Sequence, residues 1–223
     1  MIAGFRRVEI GAEWLGVALY RSSYPKYGTL EVSALLDAHQ VSSIVNLSRQ
    51  PISRAVAANI DVLWCPMTGA RRPLLEHAEA GEWSRLESAT AEDVVREHHA
   101  HAVSLLRQAP LIVAQIAAHL ESTSRPGGLL IHCDGGKDRT GLVIATLQTL
   151  GSATQADVIA EYEASDDALT PAAMDLIQGS PPAYRELVRA LLKCHGVVLA
   201  AAFRDELGDG SPLLWLLRSL KQT

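Results

Sequence analysis

Cys133 and Arg139 stand on either side of five residues, Asp134, Gly135, Gly136, Lys137 and Asp138, inside the stretch LLIHCDGGKDRTGLVIATLQTLG. An apolar run ends at the cysteine and another begins after Gly141, so the pattern predicts a strand, a short loop and a helix starting near Thr140. Two adjacent glycines let the backbone curl until successive N–H groups face one point, which makes a concavity for an anion. The unpaired N–H groups and positive dipole end of the helix add to it. A thiol at the floor of such a cradle has its pKa lowered from about 8.5 to about 3.5–7.5. As a thiolate it is a nucleophile toward phosphorus. Arg139 supplies a planar fork for two phosphoryl oxygens, which lysine does not. Thr140 is placed to donate its hydroxyl to the sulfur as it leaves. The predicted phosphate-binding set is therefore Asp134, Gly135, Gly136, Lys137, Thr140 and Gly141 around Cys133 and Arg139.

The elements that must hold this loop follow from the rest of the chain. LGVALYRSS, SSIVNLS, NIDVLWCPM and LLIH read as strands. Thr29 caps a helix from residue 30, helices are predicted at 91–106 and 110–121, and Thr154 with Asp157 starts another as a capping box. Pro171 and Pro181-Pro182 begin the last ones. The alternation gives an α/β fold, a central sheet flanked by helices. The 223 residues suit one domain over 1–223. Residues 68–90 lose periodicity, so 68–100 is expected to be a lid or insertion. Residues 171–223 are expected to be C-terminal helices, with SPLLWLLRSLKQT packed on the body.

A formal net charge of −5 argues against a general nucleic-acid binder. The N-terminus lacks a signal-peptide core, and no run reaches the ~18 apolar residues of a membrane span, so no stable membrane insertion is expected. Three scattered cysteines fit reduced thiols in a cytoplasmic protein rather than a disulfide framework. Cys65 and Cys194 are expected to be buried and inert, and Tyr162 to pack behind the loop helix. His98, His99 and His101 point in different directions on a helix and are expected at the surface rather than on a metal. Arg71-Arg72 is either a solvated turn or a second anion clamp.

His132-Cys133-x5-Arg139-Thr140-Gly141 resembles the signature of the cysteine-dependent phosphatases, of tyrosine, dual-specificity and phosphoinositide types. Gly-Lys-Asp-Arg-Thr-Gly, with both lysine and aspartate in the loop, is similar to the bacterial tyrosine/lipid phosphatases. Tyr20-Arg21-Ser22 resembles their "YRS" segment, and 160–165 their "DYxxS" segment. Ile44-Val45-Asn46-Leu47 sits where "DLR" is usual, with Asn46 in place of the acid and Ser48 in place of an arginine-like continuation. The resemblance implies a tyrosine-phosphatase-like fold with a helical lid, needing no cofactor or metal. It implies Cys133 as nucleophile, Arg139 as clamp, His132 as a support of loop and thiolate, and Lys137 as a widening of the positive pocket. Asp138 is the implied general acid, with Asp61 and Asp93 as the other candidates. Asp134 is unusual beside a dianion, and its side chain is expected to point outward.

The expected activity is hydrolysis of a phosphate monoester through a cysteinyl-phosphate, on phosphotyrosine, phosphoserine or a phosphoinositide-type substrate. The alternatives are a phosphorylated small metabolite or nucleotide as substrate, and a phosphate-binding module without turnover. The partner is thus a phosphorylated protein, lipid headgroup or small molecule.

Overall fold

Leu129, Leu130 and Ile131 are all fully buried, which a strand can achieve only with both of its faces covered. In the computed structural model, which describes residues 2–9, 15–52, 60–123, 127–166 and 170–206, this run is the central strand of a five-stranded sheet. The strands are β1 (Arg6–Arg7), β2 (Leu19–Ser22), β3 (Val41–Asn46), β4 (Asp61–Trp64) and β5 (Gly128–His132), in the order β1-β2-β5-β3-β4. Only the β1–β2 pairing is antiparallel. The four parallel strands therefore end on one edge. Ser22 and Asn46 both pair with His132, and Asn46 with Trp64. That row is the platform on which the Cys133 loop sits.

The two faces of the sheet are covered unequally. Helix α1 (Leu30–Ala38), capped by Thr29, packs Val32 and Leu36 with Tyr20, Ile44 and Leu130. The opposite face, with Leu19, Val45, Leu129 and Ile131, carries the larger core, to which five helices contribute. They are α3 (Ala91–Leu106), α4 (Ala109–Ser122), α5 (Asp138–Leu150), α6 (Gln155–Glu163) and α9 (Gly196–Glu206). The Thr154/Asp157 capping box at α6 forms as expected, and Thr90 with Asp93 makes a second one at α3.

Residues 68–90 are more regular than their weak periodicity predicts. They hold α2 (Pro73–Glu79) and a 3₁₀ turn (Trp83–Leu86). These pack Ala78 and Leu86 with Val94 of α3, Ile177 of α7 (Pro171–Gly179), and Val188 and Leu191 of α8 (Arg185–Leu192) in a separate apolar cluster. A seven-residue helix is too short to show two turns of pattern, which is why it was invisible to periodicity. His98, expected at the surface, is instead buried in the seam between α3 and α8, where its Nε2 lies 3.2 Å from the Ala190 carbonyl. His101 is partly buried and bonds the Ala70 carbonyl at 2.7 Å. Only His99 behaves as a surface residue, against Asp205. Among the described residues no single helix is long and apolar enough to cross a membrane. The stretch SPLLWLLRSLKQT lies outside the described residues.

Candidate active site

Helix α5 begins at Asp138, two residues before the expected start, so Asp138, Arg139 and Thr140 form its first turn. An aspartate there is favoured by the positive end of the helix. Cys133 is 2 % exposed at the floor of the loop, and the Gly136 N–H donates to its Sγ at 3.2 Å. Of the two glycines only Gly136 is required. It has φ +67°, and a Cβ there would stand 2.4 Å from the Ser22 carbonyl oxygen, whereas a Cβ on Gly135 would meet open space. Thr140 is buried, but its Oγ1 makes no hydrogen bond, so the expected contact with the sulfur is absent. Gly141 instead makes room for Tyr162, whose ring would lie 2.6 Å from an added Cβ. Tyr162 is thus the packing residue expected behind the loop helix.

The loop is braced from below by residues far away in sequence. Arg21, fully buried on β2, donates to the Gly136 carbonyl at 2.6 Å and to Glu161 of α6 at 3.0 Å. Glu161 also takes Arg6 of β1 at 2.8 Å. Arg21→Met therefore leaves the loop carbonyl without its donor and the part-buried Glu161 carboxylate with Arg6 alone. We expect a loss of about 3 kcal/mol, at the lower end for a broken buried pair because Arg6 remains. The exposed Arg71→Met should stay within about 0.5 kcal/mol. Urea denaturation of both variants checks this.

His132 is fully buried, and its Nε2 meets Tyr27 Oη at 2.7 Å. Burial pushes the Tyr27 hydroxyl up, so it keeps its proton and donates, leaving His132 Nδ1–H to face the Cys133 carbonyl at 3.4 Å. Burial also drives His132 down to about 4. Its imidazole is neutral at pH 7, so it orients the loop but brings no positive charge to the sulfur.

A cavity of about 150 Å³ opens over Cys133. The loop lines it with Gly135, Lys137, Asp138 and Arg139, the 68–90 segment with Arg72 and Leu75, and the C-terminal helices with Thr170, Ala173 and Leu192. Arg72 thus turns inward, but its guanidinium is already taken. It lies 3.4 Å from Glu97 and 3.7 Å from Asp138, and it also donates to the Leu191 carbonyl. Arg71 faces solvent and pairs with Glu76. Lys137 lies 3.5 Å from Asp166. Burial works to raise the Asp138 carboxyl, but Arg72 and Lys137 outweigh it and hold the group near 2. The other two acid candidates are elsewhere. Asp61 opens β4, at the end remote from the loop, and accepts from Thr123. Asp93 is spent on the cap of α3.

Asp134 is exposed, as expected, but its carboxylate is not free. Its carboxylate accepts from Arg139 Nη2 at 2.5 Å and from Ser48 Oγ at 2.5 Å. Cys65 and Cys194 are buried, and burial raises both thiols as expected of inert residues. Arg72, Asp166, Glu161 and Tyr27 are the site residues that sequence reasoning left without these roles. Arg72 carried a signal as one of a pair of arginines in the 68–90 segment, and Glu161 as part of the family-like stretch 160–165.

The family model described as the tyrosine phosphatase family matches residues 15–220. No curated protein sequence matches the chain. Among solved structures, TpbA of P. aeruginosa in complex with phosphotyrosine is 16% identical over 99% of this chain and 98% of that chain, with a TM-score of 0.44. The catalytic core of Siw14 is 17% identical over 94% and 96%, with a TM-score of 0.42. The PP-IP phosphatase SIW14 from S. cerevisiae in complex with citrate is 15% identical over 94% and 97%, with a TM-score of 0.39.

Proposed function

Since the chain belongs to the tyrosine phosphatase family and is a cysteine-dependent phosphatase, we propose that its substrate is an aryl phosphate monoester, hydrolysed through a phosphocysteine at Cys133. The sulfur, as thiolate, attacks phosphorus in line and the bond to the ester oxygen breaks. Arg139 and the loop amides hold the phosphoryl oxygens through the transition state, where such fixed donors contribute most. Asp138 hands the departing oxygen its proton. With its carboxyl near 2 in the free protein, that proton arrives on the substrate monoanion, and Asp138 relays it. Water then attacks phosphorus, the sulfur leaves, and Asp138 takes the water's proton.

One observation carries the choice of an aryl ester. Among the described residues, every cation lining the cavity already has a carboxylate: Arg72 has Glu97 and Asp138, Lys137 has Asp166, and Arg139 has Asp134. No cationic surplus is left for a second phosphate, as an inositol polyphosphate would need. The remaining wall is Leu75, Ala173 and Leu192 with Thr170, whose hydroxyl already accepts from the Ala173 N–H, and this mostly apolar surface suits an apolar alcohol side. Burying a ring against such a wall contributes roughly 2 kcal/mol, or about thirtyfold in kcat/KM. A panel of phosphotyrosine and phosphoserine peptides, an inositol polyphosphate and a nucleoside monophosphate should rank the phosphotyrosine peptide first by about that factor. A preference for the polyphosphate would overturn the reading.

A further inference from the structure

Three positions that depart from the family's sequence pattern, Asn46, Ser48 and Asp134, are joined in the structure into one chain of hydrogen bonds that ends on Arg139. Asn46, the last residue of β3, and Ser48, two residues beyond it, are both fully buried. Asn46 Oδ1 accepts from the Ser48 N–H at 2.9 Å, and its Nδ2 donates to the Gln50 carbonyl at 2.7 Å. The Gln50 N–H returns to Ser48 Oγ at 3.0 Å. With its own acceptor side so occupied, the Ser48 hydroxyl donates to Asp134 Oδ1 at 2.5 Å. Asp134 Oδ2 then takes Arg139 Nη2 at 2.5 Å, while Arg139 Nη1 donates to the Leu47 carbonyl at 3.3 Å.

Both terminal nitrogens of the guanidinium are thus tied down before any ligand arrives, and both ties lead to the segment 46–50. A guanidinium has five N–H donors in a rigid plane. Two are used here, and the others, Nε–H among them, stay available to a phosphoryl group. Two effects oppose each other. A carboxylate near the site repels a dianion, but the Asp134 side chain is 43 % exposed, so water screens that repulsion. A long arginine fixed in advance avoids losing its rotamer freedom on binding. The second effect wins when the carboxylate is itself held, as it is here by a buried serine.

We infer that Asp134, fixed by Ser48 and Asn46, is a positioning residue that presets the Arg139 fork for the phosphoryl group. The inference rests on the reading of Arg139 as the phosphate clamp. Titration calorimetry with inorganic phosphate, which needs no turnover, tests it. Asp134→Ala should weaken phosphate binding about tenfold, the size of a lost charge-assisted hydrogen bond, and Asp134→Asn, which keeps an acceptor oxygen, should weaken it less. Ser48→Ala should weaken it in the same direction. The Ser48→Ala/Asp134→Ala double variant should be no worse than Asp134→Ala alone, because Ser48 acts only through Asp134. Melting temperature and the rate of iodoacetamide alkylation at Cys133 should not move, which separates this role from general support of the loop. Unchanged or tighter phosphate binding in both Asp134 variants, additive losses in the double variant, or a parallel change in alkylation would each overturn it. A wild-type protein that bound no phosphate would instead overturn the clamp reading itself.

Discussion

Serine in place of Cys133 should leave a folded protein that binds phosphate and turns over no measurable substrate, a loss of roughly 10⁴-fold or more. The argument starts from what surrounds the sulfur. It is 2 % exposed and receives the Gly136 N–H, a setting that supports an anion but offers no base to an alcohol. His132, the nearest candidate base by sequence, is committed on one nitrogen to Tyr27 and faces the Cys133 carbonyl with the other. A serine hydroxyl would therefore keep its proton, and an un-ionised alcohol is a poor nucleophile. Phosphate affinity should hold within a few-fold, since the loop amides and Arg139 are untouched. Single-turnover assays and phosphate titration on the variant check both halves. Activity above about one hundredth of wild type would mean that Cys133 is not the nucleophile.

The loop was legible because its chemistry is consecutive. Ten residues, 132–141, contain the cysteine, the required glycine, the arginine and the helix start, and strand–loop–helix geometry follows from the apolar runs on either side. Helix starts at Thr29, Thr90 and Thr154 are equally local, since each cap reads only three residues ahead. What sequence reasoning could not supply is choice of partner. Arg21 and Glu161 are separated by 140 residues, and although each lies in a family-like segment, neither segment names the other as its partner. Arg72 sits in a segment without periodicity, and its direction is set by Glu97 and the Leu191 carbonyl. Asp134 reads as an unwelcome charge until Ser48 and Arg139 are seen on either side of it. Asp61, Asp93 and Asp138 are alike as letters. The cap at Thr90 accounts for Asp93 locally, but only the fold puts Asp61 at the far end of a strand and Asp138 on the cavity wall.

Asparagine at position 138 should separate substrates by their leaving groups. For an alkyl or unactivated aryl phosphate, whose departing oxygen needs a proton, we expect kcat to fall about 10²- to 10³-fold, the usual range for a lost general acid. For p-nitrophenyl phosphate, whose leaving group departs as an anion, the fall should be under about tenfold, because that step asks nothing of the carboxyl. The pH dependence has a definite sign. Arg72 and Lys137 override burial and hold Asp138 near 2, so the free protein carries a carboxylate at every working pH. The proton it relays must come with the substrate, and a phosphate monoester loses its last proton near pH 6. In the wild type, kcat/KM for the unactivated substrate should therefore fall as pH rises through about 6. In the variant the amide relays nothing, so the low-pH advantage is lost. Leaving-group series at fixed pH and pH profiles at fixed leaving group measure the two effects separately. Were asparagine to slow both leaving groups equally, the carboxylate's part would be to anchor Arg72 against the loop, and the departing oxygen would have to draw its proton from solvent.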